Sequence, residues 1–222
     1  PITAQPAVGT ALRRGPNDEQ NRVVYIGTGQ YIQPSDVSTT DPQYYYGLID
    51  DDTCTGTGTA CITNSDLITQ TISPTGEVTN NSLENSDKGW RVGLQVSGSS
   101  ERVIGRGFLL GSVLLFTSVL PTSDACDAGG DGFLYALDRF TGGATDFQVL
   151  DLGTDSNLPQ LGDTEDTIAR KKLGEWTGDL AVLAGASNAH GISGEGVAFS
   201  ATEATVVNPF DRVGRVRWRQ LK

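Results

Sequence analysis

"VIGRGFLLGSVLLFTSVL", residues 103–120, sets two near-continuous apolar runs on either side of Gly111-Ser112. A two-residue loop that begins with glycine reads as a β-hairpin with a type II′ turn. Strands that face water on one side alternate apolar and polar residues, and these do not, so both faces of the hairpin are expected to be covered. The same run carries Gly, Ser and Thr and falls short of the roughly 18 apolar residues of a membrane helix. The hairpin therefore belongs to the interior of a β-rich protein.

Working outward, alternation and β-branched or aromatic content predict further strands at 23–27, 43–49, 67–72, 90–96, 102–110, 133–138, 146–151, 179–184, 196–200, 204–207 and 214–220. The composition agrees: 28 glycines and only 37% apolar residues in 222 describe many short strands joined by turns. One stretch breaks the pattern. "GDTEDTIARKKLGEW" offers Asp163 or Thr164 as N-cap, Glu165 and Asp166 in the first turn, and Arg170, Lys171 and Lys172 before Gly174. This charge placement predicts a short helix at 165–173. The stretches 73–87 and 152–163 read as long loops.

The net charge of −11 argues against a nucleic-acid partner, because most of the surface repels phosphate. The basic exception is "RVGRVRWRQLK", 212–222, where Arg215, Arg217 and Arg219 alternate with Val216, Trp218 and Gln220. Period two predicts a terminal strand with a basic face, which either pairs with the protein's own carboxylates or offers an anionic partner a docking edge. The chain has no Met and opens on "PITAQPAV", and it reads as a fragment or a processed chain.

Catalytic constellations fail one by one. "VVYIGTGQYI", 23–32, contains Gly27-Thr28-Gly29, but a phosphate cradle needs a helix to follow and a β-favouring stretch halted by Pro34 follows instead. The single His, His190, sits in a Gly/Ser-rich loop with no nucleophile elbow; in "GISGEG" Ser193 is followed directly by Gly194. No glycosidase carboxylate pair is assignable from separation alone. Trp90, Trp176, Trp218 and the run Tyr44-Tyr45-Tyr46 are expected as core wedges with hydrogen-bonded polar tips, not as a sugar platform.

Two site readings survive. "CTGTGTAC" sets Cys54 and Cys61 across a Gly-Thr loop, and in an acidic, Lys-poor chain this predicts a disulfide formed in an oxidising compartment, leaving Cys126 over. "SDACDAGGDG" brings together Asp124, Asp127 and Asp131. Without the EF-hand spacing these form either a looser Ca2+ site or an acidic turn whose aspartates cap backbone N–H groups.

As a set, "PITAQPAV", "VVYIGTGQYI", "TTDPQYYYGLIDD", "KGWRVGL", "SERVIGRGFLLGSVLLFTSVLPTSDACDAGGDGFLYALDRFTGG" and "RVRWRQLK" resemble the C-terminal region of the PilC/PilY family of type IV pilus tip-associated assembly factors and adhesins. They cover about 1–143 and 212–222; residues 144–211 match poorly. The resemblance implies an all-β fold, part of a modified, quinoprotein-like β-propeller, with residues 1–222 as the C-terminal portion and earlier blades outside the chain. It implies a non-enzymatic role in pilus assembly and adhesion at the tip. The implied partners are minor pilins and a host or abiotic surface, and the implied location is the periplasm, outer membrane and cell surface of a Gram-negative bacterium. The family's Asp-rich calcium loop precedes the stretch matched by "PITAQPAV", so no cofactor is assigned within these residues. The competing readings are a quinone-cofactor propeller dehydrogenase, which would need paired cysteines and an axial calcium-carboxylate site, and a periplasmic propeller scaffold.

Overall fold

A computed structural model describes residues 1–14, 20–50, 61–96, 99–122, 130–146, 149–150, 168–175, 181–184, 189–193 and 196–201. Fourteen strands run β1 (Ala7–Arg14), β2 (Gln20–Gly27), β3 (Tyr44–Asp50), β4 (Ile68–Gln70), β5 (Gly89–Gly93), β6 (Gln95–Val96), β7 (Ser99–Ser100), β8 (Phe108–Leu110), β9 (Val113–Leu120), β10 (Asp131–Asp138), β11 (Arg170–Glu175), β12 (Ala181–Ala184), β13 (Ala189–Ser193) and β14 (Gly196–Ala201). The only helical pieces among the described residues are 3-10 turns at Pro34–Ser38 and Asn64–Asp66. The fold is all-β, as the glycine-rich composition requires.

The strands form open sheets. The first has the order β1-β2-β3-β5-β4 and the second β11-β10-β9-β8; β12-β13-β14 make a third, and β6 pairs with β7. All pairings are antiparallel except β4 with β5. In the quoted hairpin Leu110 pairs with Val113, so Gly111-Ser112 is the whole loop. Gly111 has the positive φ of 57° that the first position of a primed turn demands.

Strand β9 is buried on both faces, as its unbroken apolar run predicts. Leu114 and Phe116 face the first sheet, while Val113 and Leu115 join Leu134, Ala136 and Leu150 on the other side. Its partner β8 is different: it is the edge strand, and Phe108 is 38% exposed.

The core lies between the first and second sheets. Tyr25, Tyr45, Trp90 and Val92 project from one, and Leu114, Phe116, Tyr135 and Leu137 from the other. A chain of stacked rings crosses the gap, with Trp90 6.4 Å from Tyr45, Tyr45 4.0 Å from Phe116, and Phe116 4.6 Å from Tyr135 between centroids. Each such pair adds about 0.5–1.5 kcal/mol beyond the area it buries. Trp90 behaves as a core wedge whose indole N–H donates to the Arg139 carbonyl at 3.1 Å.

The sequence "ALDRFTGG" explains how that indole is seated. Asp138 ends β10, and its carboxylate accepts from the N–H groups of Phe140 (2.8 Å) and Thr141 (2.9 Å), closing a tight turn. Burial pushes the Asp138 carboxyl above the usual range, and those two donors work against the rise. Gly142 then takes φ 69° and lies against the indole so closely that a Cβ there would sit 2.3 Å from Trp90 Cε3.

Three expectations need correction. Residues 170–173 of the expected helix belong to β11, which pairs antiparallel with β10 through Lys172 opposite Phe133 and Arg170 opposite Tyr135. Helix caps and dipole charges contribute only about 0.3–1 kcal/mol each, less than the open edge of β10 and a buried carboxylate awaiting Arg170. Of the expected strand 146–151, the described residues are not extended partners of any sheet; Leu150 instead plugs the outer side of the second sheet. His190 lies in β13, paired with Leu183 and Ser200, and not in a loop.

The turn against Trp90 generates a test. Gly142→Ala should lower the unfolding free energy in urea by roughly 2–4 kcal/mol, through the positive φ and the ring it would displace. Gly93→Ala, whose added methyl meets nothing nearer than 3.9 Å, should stay within about 1 kcal/mol of the parent.

Candidate functional site

The most concentrated ionisable chemistry among the described residues is built by Ser100-Glu101-Arg102-Val103, the stretch that passes between the two large sheets. Its backbone is held from both sides. Arg102 exchanges N–H···O bonds with Val119 of β9 at 2.7 and 2.8 Å, and the Val103 N–H donates to the Thr28 carbonyl at 3.0 Å. The glycines of "VVYIGTGQYI" make room for it: a Cβ on Gly27 would lie 2.3 Å from Val103 Cβ, and one on Gly29 2.6 Å from Arg102 Cβ. Gly29 also holds φ 137°. These glycines admit a crossing chain, not a phosphate.

Neighbouring residues in an extended segment point to opposite sides, so Glu101 turns to the second sheet and Arg102 away from it. Glu101 is 1% exposed. Its Oε2 accepts from the Ser118 hydroxyl and from the Tyr135 hydroxyl at 2.7 Å. Its Oε1 accepts from Arg170 Nε at 3.0 Å and Nη2 at 2.6 Å. Arg170 also lies over the Phe133 ring at 3.7 Å, and its Nε approaches Tyr135 Oη at 3.1 Å. Burial, and then the Glu101 carboxylate, push the Tyr135 phenol well above its ordinary range, so it remains a donor. Every acceptor direction of the carboxylate is occupied, which makes this a tie between β9, β10 and β11.

Arg102 turns the other way, 2% exposed, and donates to the carbonyls of Ser100, Asp36 and Thr39. Burial holds its pKa below the usual arginine value. It thereby anchors the turn Pro34–Ser38, which Asp36 also organises: the Asp36 carboxylate accepts from the N–H groups of Ile32 (2.8 Å) and Gln33 (2.9 Å). Those backbone donors, followed by Gln30 and Arg102, hold its pKa below the ordinary carboxylate value.

The residues singled out in the sequence fall elsewhere. Asp131 opens β10 and pairs with Lys172 Nζ at 2.7 Å, while Asp124 and Asp127 lie outside the described residues. Among the described residues no group of three His, Cys, Asp or Glu side chains is placed to hold a metal ion. Cys61 is disulfide-bonded; Cys54 and Cys126 lie outside the described residues, as do Arg215, Arg217 and Arg219. Sequence reasoning missed Glu101, Arg102, Tyr135 and Arg170. The available signal was "SERVIG", an acid and a base set side by side just ahead of an apolar hairpin.

Two measurements check this arrangement. Arg170→Met should cost roughly 3–5 kcal/mol in urea unfolding by stranding the Glu101 carboxylate, and combining it with Glu101→Gln should recover much of that loss in a double-mutant cycle. Asp36 has a lowered folded pKa, so its contribution is complete above the unfolded value, 3.8, and is lost as the pH falls through the folded one. The stability difference between the parent and Asp36→Asn should accordingly be constant above about pH 5 and shrink on acidification below it.

Comparison with known proteins completes the picture. No protein-family model matches the chain. The type IV pilus biogenesis factor PilY1 of Pseudomonas aeruginosa strain UCBPP-PA14 is 28% identical over an alignment covering 100% of this chain and 21% of that protein. A PilY1 homolog of Xylella fastidiosa is 32% identical over 63% of the chain and 10% of its own length. The chain thus spans about a fifth, or less, of the curated relatives it matches. The full-chain alignment runs through 144–211, which the motifs had left unmatched. The crystal structure of the Pseudomonas aeruginosa PilY1 C-terminal domain superposes with a TM-score of 0.70 at 22% identity, over 90% of this chain and 44% of that one, and shares its propeller-like all-β fold. The motif set, the full-length alignments and the common fold agree in likening the chain to the C-terminal region of the PilY1 pilus biogenesis factors.

Proposed function

We propose that this chain is the C-terminal portion of a propeller in a type IV pilus biogenesis factor, acting at the pilus tip through its protein surface and without catalysis. The observation that carries the reading is the similarity of the whole chain to proteins named for that role. The disposition of the ionisable groups supports it: Glu101, Tyr135 and Arg170 are used up in tying strands of the second sheet and Arg102 in anchoring the turn at Pro34–Ser38, which leaves none of them to act on a substrate. Among the described residues no helix is long and apolar enough to cross a membrane.

In this reading the module meets the minor pilins in the periplasm and is carried with them to the cell surface, where it contacts a host cell or an abiotic surface. The alternating arginines Arg215, Arg217 and Arg219 supply the docking strand, since a basic edge on an acidic protein selects an anionic partner and speeds its encounter. Asp124, Asp127 and Asp131 remain the candidate Ca2+ ligands, separate from that contact.

A pull-down of the chain with purified soluble minor pilins, with calcium and with chelator, tests the proposal. Capture should survive chelation and should fall several-fold when Arg215, Arg217 and Arg219 are all changed to Glu. Absence of capture in both conditions would remove the assembly contact from these residues.

A further inference from the structure

The segment that leads from the Pro34–Ser38 turn into β3 is held by its carbonyls. Arg102 donates to those of Asp36 and Thr39, and Gln95 Nε2 to that of Thr40 at 3.2 Å. The Asp41 carbonyl is held twice, by Ser100 Oγ at 2.7 Å and by Gln43 Nε2 at 3.1 Å. Both donors are interior groups, Ser100 4% and Gln43 5% exposed, whereas Asp41 and Pro42 lie open to water. The orientation of the Gln43 amide is set from behind. Thr28 Oγ1 accepts from the Tyr44 N–H at 2.9 Å, so its hydrogen goes to Gln43 Oε1 at 2.7 Å and the amide NH2 turns to Asp41.

Two donors on one carbonyl oxygen brace many loops. This carbonyl, however, belongs to the single Asp-Pro bond of the sequence. An aspartate carboxylate reaches its own main-chain carbonyl carbon by closing a five-membered ring, so the attack is intramolecular and its entropic cost is small. A prolyl nitrogen departs more readily than other backbone nitrogens because, doubly alkylated, it is the more basic. Among the described residues the Asp41 carboxylate accepts no hydrogen bond, so none ties it away from that approach.

We propose that Asp41–Pro42 is a self-cleavage site, with Ser100 and Gln43 as the donors that stabilise its oxyanion. The Asp41 carboxylate attacks the Asp41 carbonyl carbon, and the carbonyl electron pair moves onto the oxygen, where the two donors already stand. The pair returns, the C–N bond breaks, and the Pro42 nitrogen leaves with a proton from solvent. The cyclic anhydride left at Asp41 takes up one water and opens to two carboxyl groups. The net change is hydrolysis of one peptide bond by one water, with no oxidant, reductant or cofactor. Donors fixed in advance by buried neighbours need no reorganisation as the charge develops, and one such donor is worth about 10²–10³ in rate.

Cleavage at this bond leaves a nicked module and not two separated parts. Residues 1–41 carry β1 and β2, and β2 stays paired with β3 from Arg22 opposite Asp50 to Gly27 opposite Tyr45. Sheet hydrogen bonds then do what the covalent chain did. This chemistry is independent of any pilus partner.

The test holds the polypeptide from the complete reading frame in mildly acidic buffer, folded or unfolded in urea, and counts new Asp41 carboxyl and Pro42 amino termini by peptide mass spectrometry. The unfolded chain keeps the Asp-Pro bond but loses both donors, which makes it the reference. The folded protein should cleave about 10²-fold faster. Ser100→Ala should lose most of that advantage, Ser100→Thr, which keeps the hydroxyl, should retain it, and Asp41→Ala should show no cut at this bond in either state. Equal or slower cleavage in the folded protein overturns the proposal. So does a Ser100→Ala variant with parent-like circular dichroism that cleaves at the parent rate; if that variant does not fold, the folded and unfolded parent decide by themselves.

Discussion

A carboxylate with almost no access to water is what the second sheet is built around. Burying Glu101 carries a desolvation penalty of several kcal/mol, and the structure offsets it with two hydroxyl donors on Oε2 and two N–H donors of the Arg170 guanidinium on Oε1. Those donors come from three different strands, so the carboxylate is satisfied only when β9, β10 and β11 are in register. A one-residue slip would turn Ser118 or Tyr135 to the wrong face and leave the charge unpaired. The tie therefore contributes more to specifying the arrangement than to raising its net stability. Arg102 does the equivalent for the turn at Pro34–Ser38, and because it follows Glu101 directly, one short stretch of chain fixes both sides of the core.

Around that tie the packing is close to the limit that side chains allow. The stacked rings from Trp90 to Tyr135 form a continuous column, and the glycines at 27, 29 and 142 lie where any Cβ would collide with it or with the crossing chain. The family-like motifs acquire physical meaning in this light. "VVYIGTGQYI" is the floor on which "SERV" rests, "KGWRVGL" supplies the indole, and "LYALDRFTGG" supplies the turn that caps it. Each is shaped to another, which is why each is weak evidence when taken alone.

This economy bears on function. Buried charges that are fully paired and a β11 recruited from a helix-like sequence commit these groups to holding the fold, in keeping with the proposed non-catalytic role. The arginine-rich stretch 212–222 is, in the proposed reading, electrostatic in character and suited to a transient partner.

The sequence by itself determined the all-β character, the hairpin turn at Gly111-Ser112, the core role of Trp90 and the failure of the glycine-rich stretch as a phosphate cradle, because these depend on local patterns of period two and on turn chemistry. Tertiary structure alone decided the state of 170–175, where local helix signals lost to the open edge of β10 and to the demand of Glu101 for a counter-charge. It also decided that, of two adjacent charged residues, Glu101 turns to the second sheet and Arg102 to the turn at Pro34–Ser38. Those outcomes depend on groups far apart in the chain, such as Glu101 with Arg170 or Gly142 with Trp90, and no window of sequence contains both members of such a pair.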